Sequence, residues 1–427
     1  MLAYMAPMRL RVRTWLQLAG LFGGALVAGG CSSADSSPAA SSDQDVTSIP
    51  ETDVKEQLIG NCWLYATLGW VESLHLAHSG EALDLSESYL TYLSAFTRIT
   101  TGEFVFGKDG EWNTGDFFGQ GVELIARYGI MDEGAFIAPE ATANRSARQE
   151  AATKAIALAL KPGGALATPE ARKDPVQVRK VLDQAFALPK SVVNKMTTAF
   201  GADLSRTRAK GAKVTASGFH DPARMIVAKL PNGHDVTLDE AIGELDPTRE
   251  ITAARDRKER RGPYAWQRVE FDDAAGRDAA ILRLKKSLNA GFPAPIDWYP
   301  AWDSMQQSDG SFHAPVRGKG GWHESLVHDY EIEVAGLGVL AAGTPVTDPA
   351  VLAKTLAPTS TIKFLRLKNS WGRETGALGS RGYTDAAWDY LTWEFDRPHI
   401  DYDEKVTHGL AISAVVLPPA SWDGAKH

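Results

Sequence analysis

Cys62 stands where a turn, Gly60-Asn61, meets an apolar run from Trp63 to Val71 with Leu74 beyond, broken mainly by Thr67 and Gly69. That pattern predicts a buried helix beginning at the cysteine. A thiol at a helix amino terminus meets unpaired N–H groups and the positive end of the helix dipole, and both favour the thiolate. The expectation is therefore a lowered pKa and a nucleophile. Gln57, five residues upstream, is placed to offer its side-chain amide to an oxyanion, together with the backbone N–H of Cys62.

A thiol nucleophile needs an imidazole to take its proton and to protonate the leaving group. The candidate is His328. After it, Tyr330, Ile332 and Val334 alternate with Asp329, Glu331 and Glu333, which predicts a half-buried strand with His328 at its start. His323 precedes that strand and reads as a loop residue, because no cysteine or carboxylate pair completes a metal site around it. A second strand is expected over Ile362 to Leu367. It leads into Lys368-Asn369-Ser370-Trp371-Gly372, where Asn369 can orient the imidazole and Trp371 can shield that bond from water.

Gln57, Cys62-Trp63, a histidine opening a strand and Asn369-Ser370-Trp371-Gly372, in that order, resemble the papain superfamily of cysteine peptidases. The bleomycin hydrolase (aminopeptidase C) branch is the most similar. Gly110-Glu111-Trp112 and Val122 to Ile130 resemble its Gly-Gly-Gln-Trp segment and following helix. Leu282 to Trp298, Tyr383 to Trp388, and Val416-Leu417-Pro418 with Trp422-Asp423 resemble its later parts. The resemblance implies an α+β, two-lobed fold with a cleft between the lobes: a helical lobe bearing Cys62 and a β-barrel-like lobe bearing His328 and Asn369. It implies that Gly110 and Trp112 line the cleft, and that a carboxyl-terminal tail, here Asp423 to His427, blocks the cleft and makes the enzyme an aminopeptidase. No metal or organic cofactor is implied.

Some features depart from that pattern. The loop from Gln57 to Cys62 is one residue short, Asp109 replaces a common glycine, and Asp329 follows the histidine, where a carboxylate could alter the imidazole or signal lost activity. The stretch from His328 to Asn369 is long and implies an inserted loop around Gly338 to Pro358. Two other classes thus stand beside the peptidase: a catalytically silent surface binding protein of the same fold, and a Cys-His-Asn amidase or acyltransferase of cell-wall peptides.

The expected organisation is a signal peptide over 1–30, a tether over 31–50, a helical lobe over 51–140, a mostly helical insertion over 141–274 and a β-rich lobe over 275–427. Arg9, Arg11 and Arg13 precede the apolar stretch Trp15 to Val27, which ends in Ala28-Gly29-Gly30-Cys31. This resembles a bacterial lipobox, with Cys31 the lipidated residue and the protein exported and membrane-anchored. With Cys31 so used, Cys62 has no disulfide partner. The formal charge of −8 and the lack of an uninterrupted basic cluster argue against nucleic acid. The expected partner is a peptide or protein substrate, with membrane contact only through Cys31 and the oligomeric state open.

Overall fold

The computed structural model describes residues 49–106, 110, 112–243, 262–271, 274–343, 346–372, 382–398 and 406–425. The signal segment, Cys31, Asp109 and Glu111 lie outside them. No helix among the described residues is long and apolar enough to cross a membrane. The fold is α+β, with two hydrophobic clusters, one mostly helical and one built on a sheet.

The helical lobe is organised around α1 (Cys62–Ser79), flanked by α2 (Glu87–Thr101) and α3 (Phe118–Tyr128). Every residue of α1 from Ala66 to Leu74 is buried, so the helix is covered on all sides, as its nearly unbroken apolar run requires. Helix α3 crosses α1 closely at Gly121, where a Cβ would lie 2.5 Å from the Thr67 hydroxyl. The middle of the chain supplies α4 (Ala147–Leu160), α5 (Pro175–Ala185) and α6 (Lys190–Phe200), at the helical stretches expected there. It also supplies a hairpin, Ile226–Lys229 with Asp235–Thr237, turning through Pro231-Asn232-Gly233. Val178, Leu182, Phe186, Met196 and Phe200 join the same cluster as α1, so this region completes the helical core rather than forming a core of its own.

The second lobe is built on a seven-stranded antiparallel sheet: β1 (Gln267–Glu270), β2 (Ala294–Trp298), β3 (His323–Val334), β4 (Gly338–Leu340), β5 (Thr361–Lys368), β6 (Tyr383–Ala387) and β7 (Ile412–Leu417). Their order is β6-β5-β3-β2-β7-β1, with β4 on β3. Helix α7 (Ala274–Asn289) lies against β1, β2 and β7. The expected insertion at 338–358 contains β4 and a short helix, Pro349–Thr355.

Strand β3 begins five residues before the expected start. Its first residues pair with β2 in the register Trp298↔His323, Asp297↔Glu324 and Ala294↔Val327. His328 is therefore interior to the strand, at a bulge where Val327 faces Leu367 and Asp329 faces Arg366.

The two lobes meet along α1 and β3, with Gly69 facing Leu326. Segment 49–57 crosses this junction. The Lys55 ammonium holds it to the Leu85 carbonyl at 2.8 Å, Asp84 at 2.8 Å, Glu87 at 3.0 Å and Glu133 at 3.3 Å. From the other lobe, Lys368 donates to the Thr52 carbonyl at 2.6 Å.

Candidate active site

Cys62 is the first residue of α1 and is buried. Asn61 sits at the cap position, but its side chain does not cap the helix. Its amide donates instead to Thr91 at 3.0 Å and Gln149 at 2.9 Å, fixing the turn, while its carbonyl accepts from the Leu64 N–H at 2.9 Å. The backbone of Glu324 and of Trp63 lies near the Cys62 sulfur and favours its thiolate. Burial opposes this and prevails, aided by the nearby Glu324 and Asp297 carboxylates. The thiol is pushed up to about 12. The expected lowering by the helix terminus is thus overturned, because desolvation of the anion outweighs the nearby backbone and the dipole.

The residue preceding Glu324 is His323, and its Nε2 lies 2.7 Å from Oδ1 of Asn369. Oδ1 of Asn369 also accepts from the Ser370 N–H at 2.9 Å, while the Asn369 backbone N–H is held by the Gly382 carbonyl at 2.9 Å. With Oδ1 the acceptor, Nε2 carries the hydrogen and Nδ1 of a neutral imidazole keeps its lone pair. Trp371 stacks on the His323 ring at 5.0 Å between centroids, and Trp298 meets the ring edge-on at 6.2 Å. Burial holds the imidazole down to about 4, against the bond to Asn369, which favours its protonated form.

His328 does not meet Asn369. It is buried, with Nε2 3.3 Å from Oε1 of Glu51 and its ring 5.7 Å from that of Tyr383. The predicted His328–Asn369 pair is therefore replaced by His323–Asn369, and His323 is the first residue of a strand rather than part of a loop. The physical reason is the earlier start of β3: its end, not its bulged middle, reaches the segment that carries Asn369. Asp329 likewise has a backbone role, accepting from the Gly343 N–H at 2.9 Å.

Gln57 lies beside the Asn369 segment. Its backbone N–H donates to the Ser370 carbonyl at 2.8 Å, its Oε1 accepts from the Ser370 hydroxyl, and its Nε2 donates to the Ile59 carbonyl at 2.9 Å. Adjacent Glu56 pairs with Trp371 as an isolated bridge. These bonds tie the loop before the thiol to the loop after the imidazole's partner.

Trp112 is buried in the helical core beside Asn61, Trp63 and Phe186, so the structure gives it a packing position there. Gly110 has φ +74°, which explains glycine by backbone conformation, and a Cβ at that position would meet only Lys161 Nζ at 3.8 Å. The tail is anchored elsewhere. Trp422 packs on Trp266 and Phe292, and Trp266 in turn packs on Trp70, eight residues, or roughly 12 Å, along α1 from Cys62. Ala425 is buried in the same cluster, and a Cβ on Gly424 would meet Pro231 at 3.2 Å. Lys426 and His427 lie outside the described residues.

Glu324, which sequence reasoning passed over, adjoins the sulfur. Oε1 of its carboxylate accepts from the Phe118 N–H at 3.0 Å, and burial pushes its pKa well up.

Among solved structures, the chain is similar to procathepsin L 3 of the Tenebrio molitor larval midgut, at 16% identity and a TM-score of 0.35, over 90% of this chain and 71% of that one. It is also similar to the Carica candamarcensis cysteine protease CMS1MS2 solved in complex with E-64, at 13% identity and a TM-score of 0.32, over 86% of this chain and 92% of that one. No family model matches the chain, and no curated protein does. The chemistry rests on the site's own geometry.

Proposed function

We propose that this chain is a papain-like cysteine peptidase with Cys62 as nucleophile, His323 as base and acid, and Asn369 as the residue that orients His323. The observation that carries the reading is the 2.7 Å bond from His323 to Asn369, on the strand that packs along α1, the helix that Cys62 begins. The motif match around Cys62 and Asn369 points to the same chemistry. The segments around Trp112, Trp298 and Trp388 resemble the bleomycin hydrolase branch.

Cys62 and His323 each resist ionising alone, one pushed up to about 12 and the other down to about 4. Transfer of the thiol proton to Nδ1 creates both charges together. The thiolate then has the Trp63 and Glu324 backbone beside it, and the imidazolium has Asn369. The resting site is accordingly a neutral thiol and imidazole, with His323 taking the proton as sulfur attacks the peptide carbonyl. The Cys62 N–H and the Gln57 amide would hold the oxyanion. His323 then protonates the leaving amine, and water, deprotonated by His323, releases the acyl group from the thioester.

Aminopeptidase action would require a block in the cleft. The anchoring of Trp422 and Ala425 in the helical core favours action on internal bonds instead. Export and lipidation at Cys31 remain part of the proposal, on the sequence pattern alone. Labelling by an epoxide-type thiol reagent tests the whole reading. Label should appear on Cys62 in the wild-type chain and in His328→Ala, and be lost in Cys62→Ala and His323→Ala. An unlabelled wild-type chain would favour the silent binding protein, while labelling with hydrolysis of cell-wall fragments alone would favour the amidase.

A further inference from the structure

Glu324 and Asp297 are direct cross-strand partners on β3 and β2, and the thiol's acidity registers both carboxylates. Like charges in such a position destabilise a sheet. Asp297 is compensated: Arg268 donates to its Oδ2 from Nε at 3.0 Å and from Nη2 at 2.7 Å. Glu324 takes no hydrogen bond from Arg268, which reaches it only as a nearby charge. It is 3% exposed, Oε1 takes the Phe118 N–H at the start of α3, and Oε2 is buried without a hydrogen-bond partner.

A structural role accounts for only half of this carboxylate. Accepting one N–H at a helix terminus is work a glutamine does equally well, without an orphaned anionic oxygen. An ionised Glu324 beside the nucleophile would hinder thiolate formation, and burial holds its carboxyl toward the neutral form until something positive joins it. We infer that Glu324, backed by Asp297, is a specificity residue that receives a cationic group of the substrate, an alkylammonium or guanidinium, next to the scissile bond. A cation entering there partners Oε2, lets the carboxylate ionise without penalising the thiolate, and so couples binding of the preferred substrate to activation of Cys62. The inference rests on the peptidase reading above and adds a substrate class to it.

The cation has two possible sources, a Lys or Arg side chain and a free peptide amino terminus. The test uses the full chain with fluorogenic peptides matched except for Arg, Leu or Glu beside the scissile bond, each with a blocked and a free amino terminus. The ratio of kcat/KM for cationic over neutral substrates should be at least about tenfold in the wild-type protein and fall to near one in Glu324→Gln. Preference confined to blocked Arg peptides assigns the side chain, and preference for free over blocked Leu peptides assigns the terminal amine. Equal rates for all charges in the wild-type chain, or a preference that survives Glu324→Gln, overturns the inference while leaving the peptidase intact. Should Glu324→Gln fail to fold, the rate of Cys62 labelling by a cationic against a neutral epoxide on wild-type protein decides instead. Absence of both hydrolysis and labelling overturns the peptidase reading and this inference with it.

Discussion

The imidazole of His323 stands 2.7 Å from the side-chain oxygen of Asn369, although His323 opens β3 and Asn369 follows β5, with β4 and the helix Pro349–Thr355 between them. His328, on the same strand as His323, turns to Glu51 at 3.3 Å. The two histidines therefore make opposite predictions. His323→Ala should lower kcat/KM by about a hundredfold to ten-thousandfold, the range for loss of a general acid–base group. His328→Ala should stay within a few fold. Peptide hydrolysis measured on both variants, each shown to be folded by circular dichroism, checks this, and the reverse ranking would return the base to His328.

The acidity of Cys62 gives a second expectation. A thiol held at about 12 is protonated at neutral pH, and its anion appears only in strong alkali unless the imidazole takes the proton. In His323→Ala, alkylation of Cys62 by iodoacetamide should therefore be slow at neutral pH and climb through the alkaline range. The same thiol in the denatured chain should react with the ordinary midpoint near about 8.5. Rates followed by mass spectrometry across pH distinguish the two. A variant that alkylates as readily folded as unfolded would contradict the burial argument.

These two expectations mark where the sequence was legible. The place of Cys62 at a helix start was legible because a turn followed by an apolar run is a local signal. The position of Asn369 and Trp371 beyond a strand end was legible because a short apolar run leads directly into Asn-Ser-Trp-Gly. The histidine that meets Asn369 was not the one expected, because β3 is buried on both faces from His323 to Tyr330, and a strand with two covered faces does not alternate. Alternation emerges only beyond Asp329, where Glu333 reaches solvent, so the strand seemed to begin there. One signal was present: the apolar pair Leu326-Val327 ahead of His328 shows the strand already running. The Asp297–Glu324 pairing and the raised thiol pKa had no sequence signal, since register and desolvation arise only when the lobes close on each other.

Acid stability follows from His323. Its imidazole is neutral in the fold, with its pKa held down to about 4 against about 6.5 when unfolded. Below about 6.5 the unfolded chain binds a proton that the folded chain does not, so the stabilisation is fully present above that pH and is lost as pH falls toward 4. The loss attributable to this group is about 3 kcal/mol. Denaturant unfolding of wild-type and His323→Gln chains between pH 7 and pH 4 measures it: the wild-type curve should fall more steeply, and parallel curves would refute the assignment.

Lys55 fastens the segment that carries Gln57. It lies largely covered among Glu72, Asp84, Glu87 and Glu133, whose charges raise its pKa well above the usual value despite the desolvation that lowers it. Lys55→Met removes the one cation of this group and leaves Glu87 and Glu133 buried without it. A loss of about 3–5 kcal/mol is expected, as for other buried ion pairs broken on one side. Adding Glu133→Gln should recover part of it, because the remaining repulsion falls. Denaturant midpoints of the single and double variants decide, and purely additive losses would show that the carboxylates do not depend on Lys55.

The tail provides the last test. Deleting 424–427 should leave cleavage of amino-terminally blocked peptides essentially as it was, because Trp422 and Ala425 lie with Trp266 and Phe292, on the side of α1 marked by Trp70, rather than against Cys62. Trp422→Ala, by contrast, removes a fully packed ring from that cluster and should cost about 3–5 kcal/mol of stability. Blocked and free peptides assayed side by side on the two variants separate the roles. If truncation opened the enzyme to blocked substrates that the full chain refuses, the tail would be a cleft block after all, and the protein an aminopeptidase.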